Sequence, residues 1–121
     1  MAWKPSGYQS LSPYLLVEDV EATLAFCEAV FAAERLRLEP GGAGGMHAEM
    51  RIDDTIVMIG GPVAPGNAML HLYCADPDAV MARALAQEAR QLEAVGDRKD
   101  GSRRGGFLAP DGTQWFVACL R

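Results

Sequence analysis

Residues 14–26 read Tyr-Leu-Leu-Val-Glu-Asp-Val-Glu-Ala-Thr-Leu-Ala-Phe, and residues 71–83 read His-Leu-Tyr-Cys-Ala-Asp-Pro-Asp-Ala-Val-Met-Ala-Arg. Each stretch is a short apolar run, then an Asp that can cap a helix, then an Ala-rich segment typical of a helix. Positions 14 and 71 are 57 residues apart, close to half of the chain, and residues 53–59 are echoed in the same way by residues 111–117. We therefore predict one structural unit present twice, with a ligand cavity between the two copies.

The hydrophobic pattern and the turn residues predict the element order βαβββ in each half. For the first half we expect a strand over 13–17, a helix from its cap Asp19 to about Ala33, and strands over 34–39, 46–52 and 55–59. For the second half we expect a strand over 69–74, a helix capped by Asp76 with Pro77 in its first position, and strands over 91–95, around Phe107 and over 114–120. Residues 40–45 are predicted to be a glycine-rich turn, 60–67 a linker, and 96–106 a polar loop.

A sheet with helices on one side only should have one apolar face and one mixed face. Strand alternation assigns to the helix-covered face the residues Leu15, Val17, Val57, Ile59, Leu70, Leu72, Cys74, Trp115, Val117 and Cys119. The opposite face is predicted to carry Tyr14, Leu16, His47, Glu49, Arg51, Ile56, Met58, Met69, His71, Tyr73, Gln114, Phe116 and Ala118. Apolar walls with a few polar groups are typical of a small-molecule site.

The bulk composition fits one globular domain over 1–121, with module one at 1–62 and module two at 63–121. A net charge of −5 argues against nucleic-acid binding, and no apolar run has the length of a membrane span. The three cysteines are widely spaced in apolar runs and the start lacks a signal-peptide pattern, so a reduced, cytoplasmic protein is expected.

Several stretches together resemble the vicinal oxygen chelate superfamily, and its PhnB-like branch in particular. They are residues 12–19, 47–50, 70–73, 96–98, 104–106 and 110–115. The superfamily includes glyoxalase I, extradiol dioxygenases, fosfomycin-resistance proteins and bleomycin-binding proteins. The resemblance implies an α+β fold in which two tandem βαβββ modules form a half-open eight-stranded cup, with helices on the outer face. It also implies a homodimer.

The resemblance also implies where a metal ion would bind. Active members hold a divalent ion with His, Glu or Gln from the first and last strand of each module, and the matching positions here are Ser12, Met58, Met69 and Phe116. None of these is a good ligand for such an ion. We therefore expect no metal cofactor, and the alternative is a relocated site formed by His47, Glu49 and His71.

The predicted ligand-binding residues are Tyr14, His47, Glu49, Met58, His71, Tyr73, Arg98, Gln114 and Phe116. Glu49 is the candidate general base if it is desolvated, although His47 and Glu49 could equally form a solvated strand face with Arg51. His71 is interpreted as a hydrogen-bonding wall more readily than as a metal ligand. Arg98 belongs to a basic cluster with Lys99, Arg103 and Arg104. Arg98 could bind an anionic ligand, or Asp97 and Asp100 could neutralise the cluster.

Two functions from different classes follow. The first is a metal-free small-molecule binding protein of the bleomycin-resistance type, for a planar, aromatic or anionic ligand. The second is a lyase or isomerase that uses a relocated metal or Glu49 as general base. A dimeric module that has kept no ligand is the structural alternative.

Overall fold

The computed structural model of the chain describes residues 3–41, 44–66 and 68–120. The chain divides into two compact units, Met1–Ala64 and Pro65–Arg121. The boundary lies two residues beyond the expected one, and module one and module two denote these two units from here on. Gly42 and Ala43 of the predicted turn and Asn67 of the predicted linker lie outside the described residues. No helix in the described part of the chain is both long and apolar enough to cross a membrane.

Module one has the predicted order βαβββ. Its elements are β1 (Tyr14–Leu16), α1 (Val20–Phe31), β2 (Glu34–Pro40), β3 (Met46–Ile52) and β4 (Thr55–Gly61). The four strands form one mixed sheet in the order β1-β4-β3-β2, in which β1 runs parallel to β4 and the other pairs are antiparallel. Helix α1 packs against β2, β3 and β4, so one face of this sheet is covered.

Helix α1 begins where its cap residue predicts. The Asp19 side chain accepts a hydrogen bond from the Ala22 N–H at 3.0 Å, which satisfies one of the free donors at the helix start. The helix ends at Phe31, two residues before the expected Ala33, because Ala32 turns into the left-handed region with φ of 56°. Phe31 is half-buried, whereas Phe26 and Val30 are buried.

Module two repeats the same order of elements. They are β5 (Met69–Tyr73), α2 (Pro77–Ala86), β6 (Arg90–Asp97), β7 (Ser102–Leu108) and β8 (Gln114–Leu120). The strand order is β5-β8-β7-β6, with β5 parallel to β8, and α2 packs against β6, β7 and β8. Asp76 caps α2 by accepting from the Ala79 N–H at 3.1 Å, and Pro77 occupies the first turn as predicted.

The predicted polar loop over 96–106 is wrong for most of its length. Strand β6 extends to Asp97, and β7 already begins at Ser102. The polar residues of this segment can pair as strands because Arg103 bonds to Asp78 at 2.7 Å and to Asp97 at 3.2 Å. The linker prediction also began too early, since β4 includes residues 60 and 61.

The burial pattern separates the two faces of each sheet much as the alternation predicts. Trp115 and Val117 are buried on the covered face, while Phe116 is half-buried on the other face. Leu70, Leu72, Cys74 and Cys119 are half-buried, not fully buried. No disulfide joins the three cysteines, all of which lie among the described residues. Burial raises the pKa of the Cys74 thiol, so this thiol is a poor nucleophile.

Candidate functional site

Four polar side chains form a hydrogen-bonded chain on the face of module one that is turned away from α1. The phenol oxygen of Tyr14 lies 2.9 Å from Nδ1 of His47, and Nε2 of His47 lies 2.8 Å from Oε2 of Glu49. The Tyr8 hydroxyl donates to the other carboxylate oxygen, Oε1 of Glu49. Tyr14, His47 and Glu49 are among the predicted ligand-binding residues, whereas Tyr8 is not. Tyr14 and Glu49 share a sheet face because both pair in register with Met58 of β4.

Glu49 is buried and ionised within this chain. Only 5% of the residue is exposed. Burial raises the pKa of the Glu49 carboxyl, but the hydrogen bonds from Tyr8 and His47, with the charge of Arg37, outweigh it, so the pKa lies below its ordinary value. Both carboxylate oxygens are engaged, so Glu49 acts on its surroundings through His47 and Tyr8.

A cleft of about 550 Å³ opens beside the Tyr14 end of this series of hydrogen bonds. Four large apolar side chains with a high exposed fraction line it, namely Tyr14 (48% exposed), Leu16 (51%), Met46 (36%) and Val63 (45%). Its other lining residues are Gly41, Gly44, Gly45, His47, Gly60, Gly61 and Pro62. The cleft therefore combines apolar walls, exposed backbone and the polar pair of Tyr14 and His47.

Gly60 sets the position of the Tyr14 ring. A Cβ atom at residue 60 would lie 2.7 Å from the Tyr14 phenol oxygen and 2.8 Å from a ring carbon, which is closer than real contacts allow. The missing side chain lets the Tyr14 ring lie against β4 and brings its hydroxyl to His47. The centroids of the Tyr14 and His47 rings are 5.6 Å apart.

The segment before β1 supplies residues that sequence reasoning missed. The Gln9 side chain accepts from the Ile56 N–H at 3.2 Å and donates to the Ile56 carbonyl at 2.6 Å. The pairing of β1 with β4 begins at Met58, two residues after Ile56. The Gln9 side-chain amide therefore makes the two hydrogen bonds with Ile56 that the backbone of a longer β1 would make. Tyr8 and Gln9 help to explain why Glu49 and Ile56 are buried on a face expected to be open. No periodic signal marks either residue.

Among the predicted site residues of module two, those on β5 and β8 share one sheet face. His71 pairs in register with Phe116, Met69 pairs with Gln114, and the rings of His71 and Tyr73 meet edge to face at 4.7 Å. The duplication aligns His71 with Tyr14 and Phe116 with Met58. Glu49 of β3 pairs in register with Met58 of β4, and at the corresponding place in module two Gly106 of β7 pairs with Phe116 of β8. The carboxylate of module one thus has a glycine as its counterpart.

Arg98 lies at the end of the β6–β7 hairpin. Its guanidinium bonds to Glu93 at 2.8 Å and to the carbonyls of Ala94 and Arg104 at 3.2 and 3.1 Å. Its Nε is buried without a hydrogen-bond partner among the described residues. Arg104 pairs with Asp100 at 3.7 Å, so acidic neighbours neutralise much of this basic cluster.

Comparison with other proteins places the chain in a family. The uncharacterized protein Rv0887c of Mycobacterium tuberculosis (strain ATCC 25618 / H37Rv) is 34% identical over 123 residues, which cover 89% of this chain and 72% of that protein. Mb0911c, an uncharacterized protein of Mycobacterium bovis, has the same identity, with 89% and 81% covered. The chain belongs to the Rv0887c family. No family model matches it.

Solved structures show which fold the Rv0887c family member adopts. TioX from Micromonospora sp. ML1 superposes with a TM-score of 0.77 at 20% identity, covering 93% of this chain and 99% of that one. The PhnB protein from Bacillus cereus gives 0.74 at 17%, covering 93% and 100%. FosX from Listeria monocytogenes, a fosfomycin resistance protein solved with Mn(II) and sulfate, gives 0.70 at 16%, covering 100% and 95%. The fold is that of the vicinal oxygen chelate superfamily, as the sequence predicts.

The residues of this Rv0887c family member do not fit the metal ion that the fold implies. The four matching positions offer one hydroxyl, two thioethers and a phenyl ring, and the hydroxyl of Ser12 already accepts from Gln9 at 3.0 Å. Among the described residues, no group of three or more His, Cys, Asp or Glu side chains is arranged to hold a metal. Nε2 of His47 and Oε2 of Glu49 bond to each other.

The buried carboxylate predicts a stability change with pH. We expect Glu49→Gln to lower the free energy of unfolding at pH 7 by about 1–3 kcal/mol, because a neutral amide cannot accept from both Tyr8 and His47. The folded-state pKa of Glu49 lies below its unfolded-state value of about 4.3. Its contribution is therefore complete above that value and is lost as the pH falls through the folded-state pKa.

Urea unfolding of both proteins between pH 7 and pH 3 measures this difference, with the exposed Glu18→Gln as matched control. The gap between wild type and Glu49→Gln should shrink on acidification. A gap that stays constant over this range would show that the Glu49 charge does not stabilise the fold.

Proposed function

We propose that this chain is a small-molecule binding protein that holds a planar aromatic ligand in the cleft of module one, without a metal ion. The observation that supports this is the clustering of exposed apolar side chains around one hydrogen-bonded polar pair. Tyr14, Leu16, Met46 and Val63 are exposed by 36–51% and all line the same cleft. Exposed apolar residues concentrated at one place are typical of an interaction site.

The cleft suits a flat ring in size and in shape. A volume of about 550 Å³ lies within the usual range of small-molecule sites. Gly60 and Gly61 line the cleft, and the Tyr14 ring lies in the space over Gly60, so it forms part of the cleft wall. The half-exposed ring of Tyr14 offers a surface for offset stacking.

We also propose the finer assignments that the resemblance implies. A place in the PhnB-like branch is supported by the likeness to the Bacillus cereus PhnB protein in fold. A reducing, cytoplasmic location is supported by the three cysteines, which form no disulfide in the described part of the chain. A homodimer is supported by the resemblance, and size-exclusion chromatography with light scattering would test it.

The test of binding uses 2-naphthol as a probe and protein dialysed against EDTA. We expect calorimetry to show one site per chain, and a hundredfold excess of probe over Kd should raise the free energy of unfolding by about 2.7 kcal/mol. Leu16→Asp should weaken binding at least roughly tenfold, because it places a charge against the apolar wall. Leu120→Asp, at an exposed leucine of β8, is the matched control. Binding that requires added Zn²⁺ or Mn²⁺, or that Leu16→Asp leaves intact, would refute the proposal.

The second candidate is a lyase or isomerase, and the hydrogen-bonded chain is the observation that favours it. Carboxylate, imidazole and phenol in series form an arrangement that can move a proton. Glu49 itself is enclosed, so the group presented to a substrate would be the Tyr14 hydroxyl. Each compound that binds is incubated with the protein for a long time. Its recovery unchanged would support binding alone, whereas its conversion by the wild type but not by Tyr14→Phe would support an enzyme.

A further inference from the structure

We infer that the ligand of module one carries a hydrogen-bond donor, an aromatic O–H or N–H, that is received by the phenol oxygen of Tyr14. This inference rests on the proposed function and specifies the chemical class of its ligand. It excludes aromatic compounds whose only polar groups are acceptors, including simple carboxylates.

The direction of each hydrogen bond follows from Glu49. An ionised carboxylate can only accept, so Nε2 of His47, at 2.8 Å, must carry a hydrogen. In a neutral imidazole the other nitrogen, Nδ1, then has a lone pair and no hydrogen. When His47 is neutral, the Tyr14 hydroxyl, 2.9 Å from Nδ1, donates to His47.

This direction leaves the Tyr14 oxygen with only acceptor capacity toward the cleft. Its single hydrogen is used by His47, and nearly half of the residue is exposed where it lines the cleft. Bonds in series polarise one another, so the negative charge of Glu49 strengthens the acceptor at Tyr14. A ligand donor gains from this arrangement, whereas a ligand carboxylate would face lone pairs backed by a buried anion.

The orientation of the phenol is held by the backbone beneath it. The ring occupies the space that a side chain at residue 60 would fill, which limits the hydroxyl to the neighbourhood of His47. The counterpart position in module two carries His71, whose ring contacts Tyr73, and the counterpart of Glu49 is Gly106. The acceptor is therefore built into module one.

The experiment compares 2-naphthol with 2-methoxynaphthalene, which shares the ring but has no donor. Binding of both is measured by calorimetry at about pH 8, where an ordinary imidazole is neutral. We expect the wild type to bind 2-naphthol roughly tenfold more tightly, as one charge-assisted hydrogen bond implies. Tyr14→Phe keeps the ring and removes the acceptor, so it should bind the two probes with equal affinity.

Two further variants sharpen the result. Gly60→Ala moves the Tyr14 ring without deleting a polar group and should also abolish the preference, whereas Tyr73→Phe in module two should retain it. Equal affinities in the wild type, or a preference that survives Tyr14→Phe, overturns the inference and leaves the proposed function standing. Failure of the wild type to bind either probe overturns both.

Discussion

Phe107→Ala is expected to lower the free energy of unfolding by about 3–5 kcal/mol, the range for deleting a buried phenyl ring. Phe107 lies in β7 with 0% of its surface exposed and pairs in register with Trp115, which is 3% exposed. Truncation leaves a cavity that strands on both sides cannot fill without breaking their own hydrogen bonds. Total stability of a domain is about 5–15 kcal/mol, so one such cavity removes a large share of it.

Urea unfolding followed by tryptophan fluorescence measures this loss. Trp115 is the informative reporter, because Trp3 is 81% exposed in the folded protein. Leu120→Ala is the control, since Leu120 is 74% exposed and its truncation should change stability by less than about 0.5 kcal/mol. A loss below about 1 kcal/mol for Phe107→Ala would mean that β7 does not carry the core of module two.

Gly61→Ala is the second large effect, and it concerns the floor of the cleft. A Cβ atom at residue 61 would collide with the backbone carbonyl of Val17, which already accepts from the Val63 N–H at 3.0 Å. Backbone on both sides cannot yield as a flexible side chain can, so we expect a loss of about 3 kcal/mol, at the upper end of the range for overpacking.

Gly96→Ala provides the matched control for this substitution. Gly96 is also a strand glycine, in β6, but a Cβ atom there would meet no heavy atom within 4 Å. Its replacement should be nearly neutral or slightly stabilising. Equal urea midpoints for Gly61→Ala and the wild type would contradict the close approach of β4 to the β1–α1 connection.

Local signals in the sequence account for much of the fold. The caps Asp19 and Asp76 fix both helix starts, and strands β3 and β8 were predicted to the residue because alternation and flanking turns mark their ends. The strand around Phe107 was predicted, but the first residues of β7 were assigned to a loop because Arg103, Arg104 and two glycines give them no hydrophobic pattern. Its stability comes from distant partners, such as the Phe116 ring that lies 2.5 Å from where a Cβ atom of Gly106 would be.

The site was predictable only in part, for the same reason. Alternation correctly places Tyr14, His47 and Glu49 on one face, since side-chain direction along a strand is a local property. The bond from Tyr8 to Glu49 joins residues 41 positions apart and depends on how the segment before β1 folds back. Burial of Glu49, which decides its chemistry, follows from that contact and from no pattern around Glu49.

The amide of Gln9 has a consequence beyond the site. Strand β1 is three residues long, so the first part of β4 would otherwise present a free N–H and C=O at Ile56 to any extended peptide. Such exposed edges invite strands from other molecules to add to the sheet, which is a common start of aggregation. By bonding both groups, one glutamine side chain makes this part of β4 unavailable to a strand from another molecule.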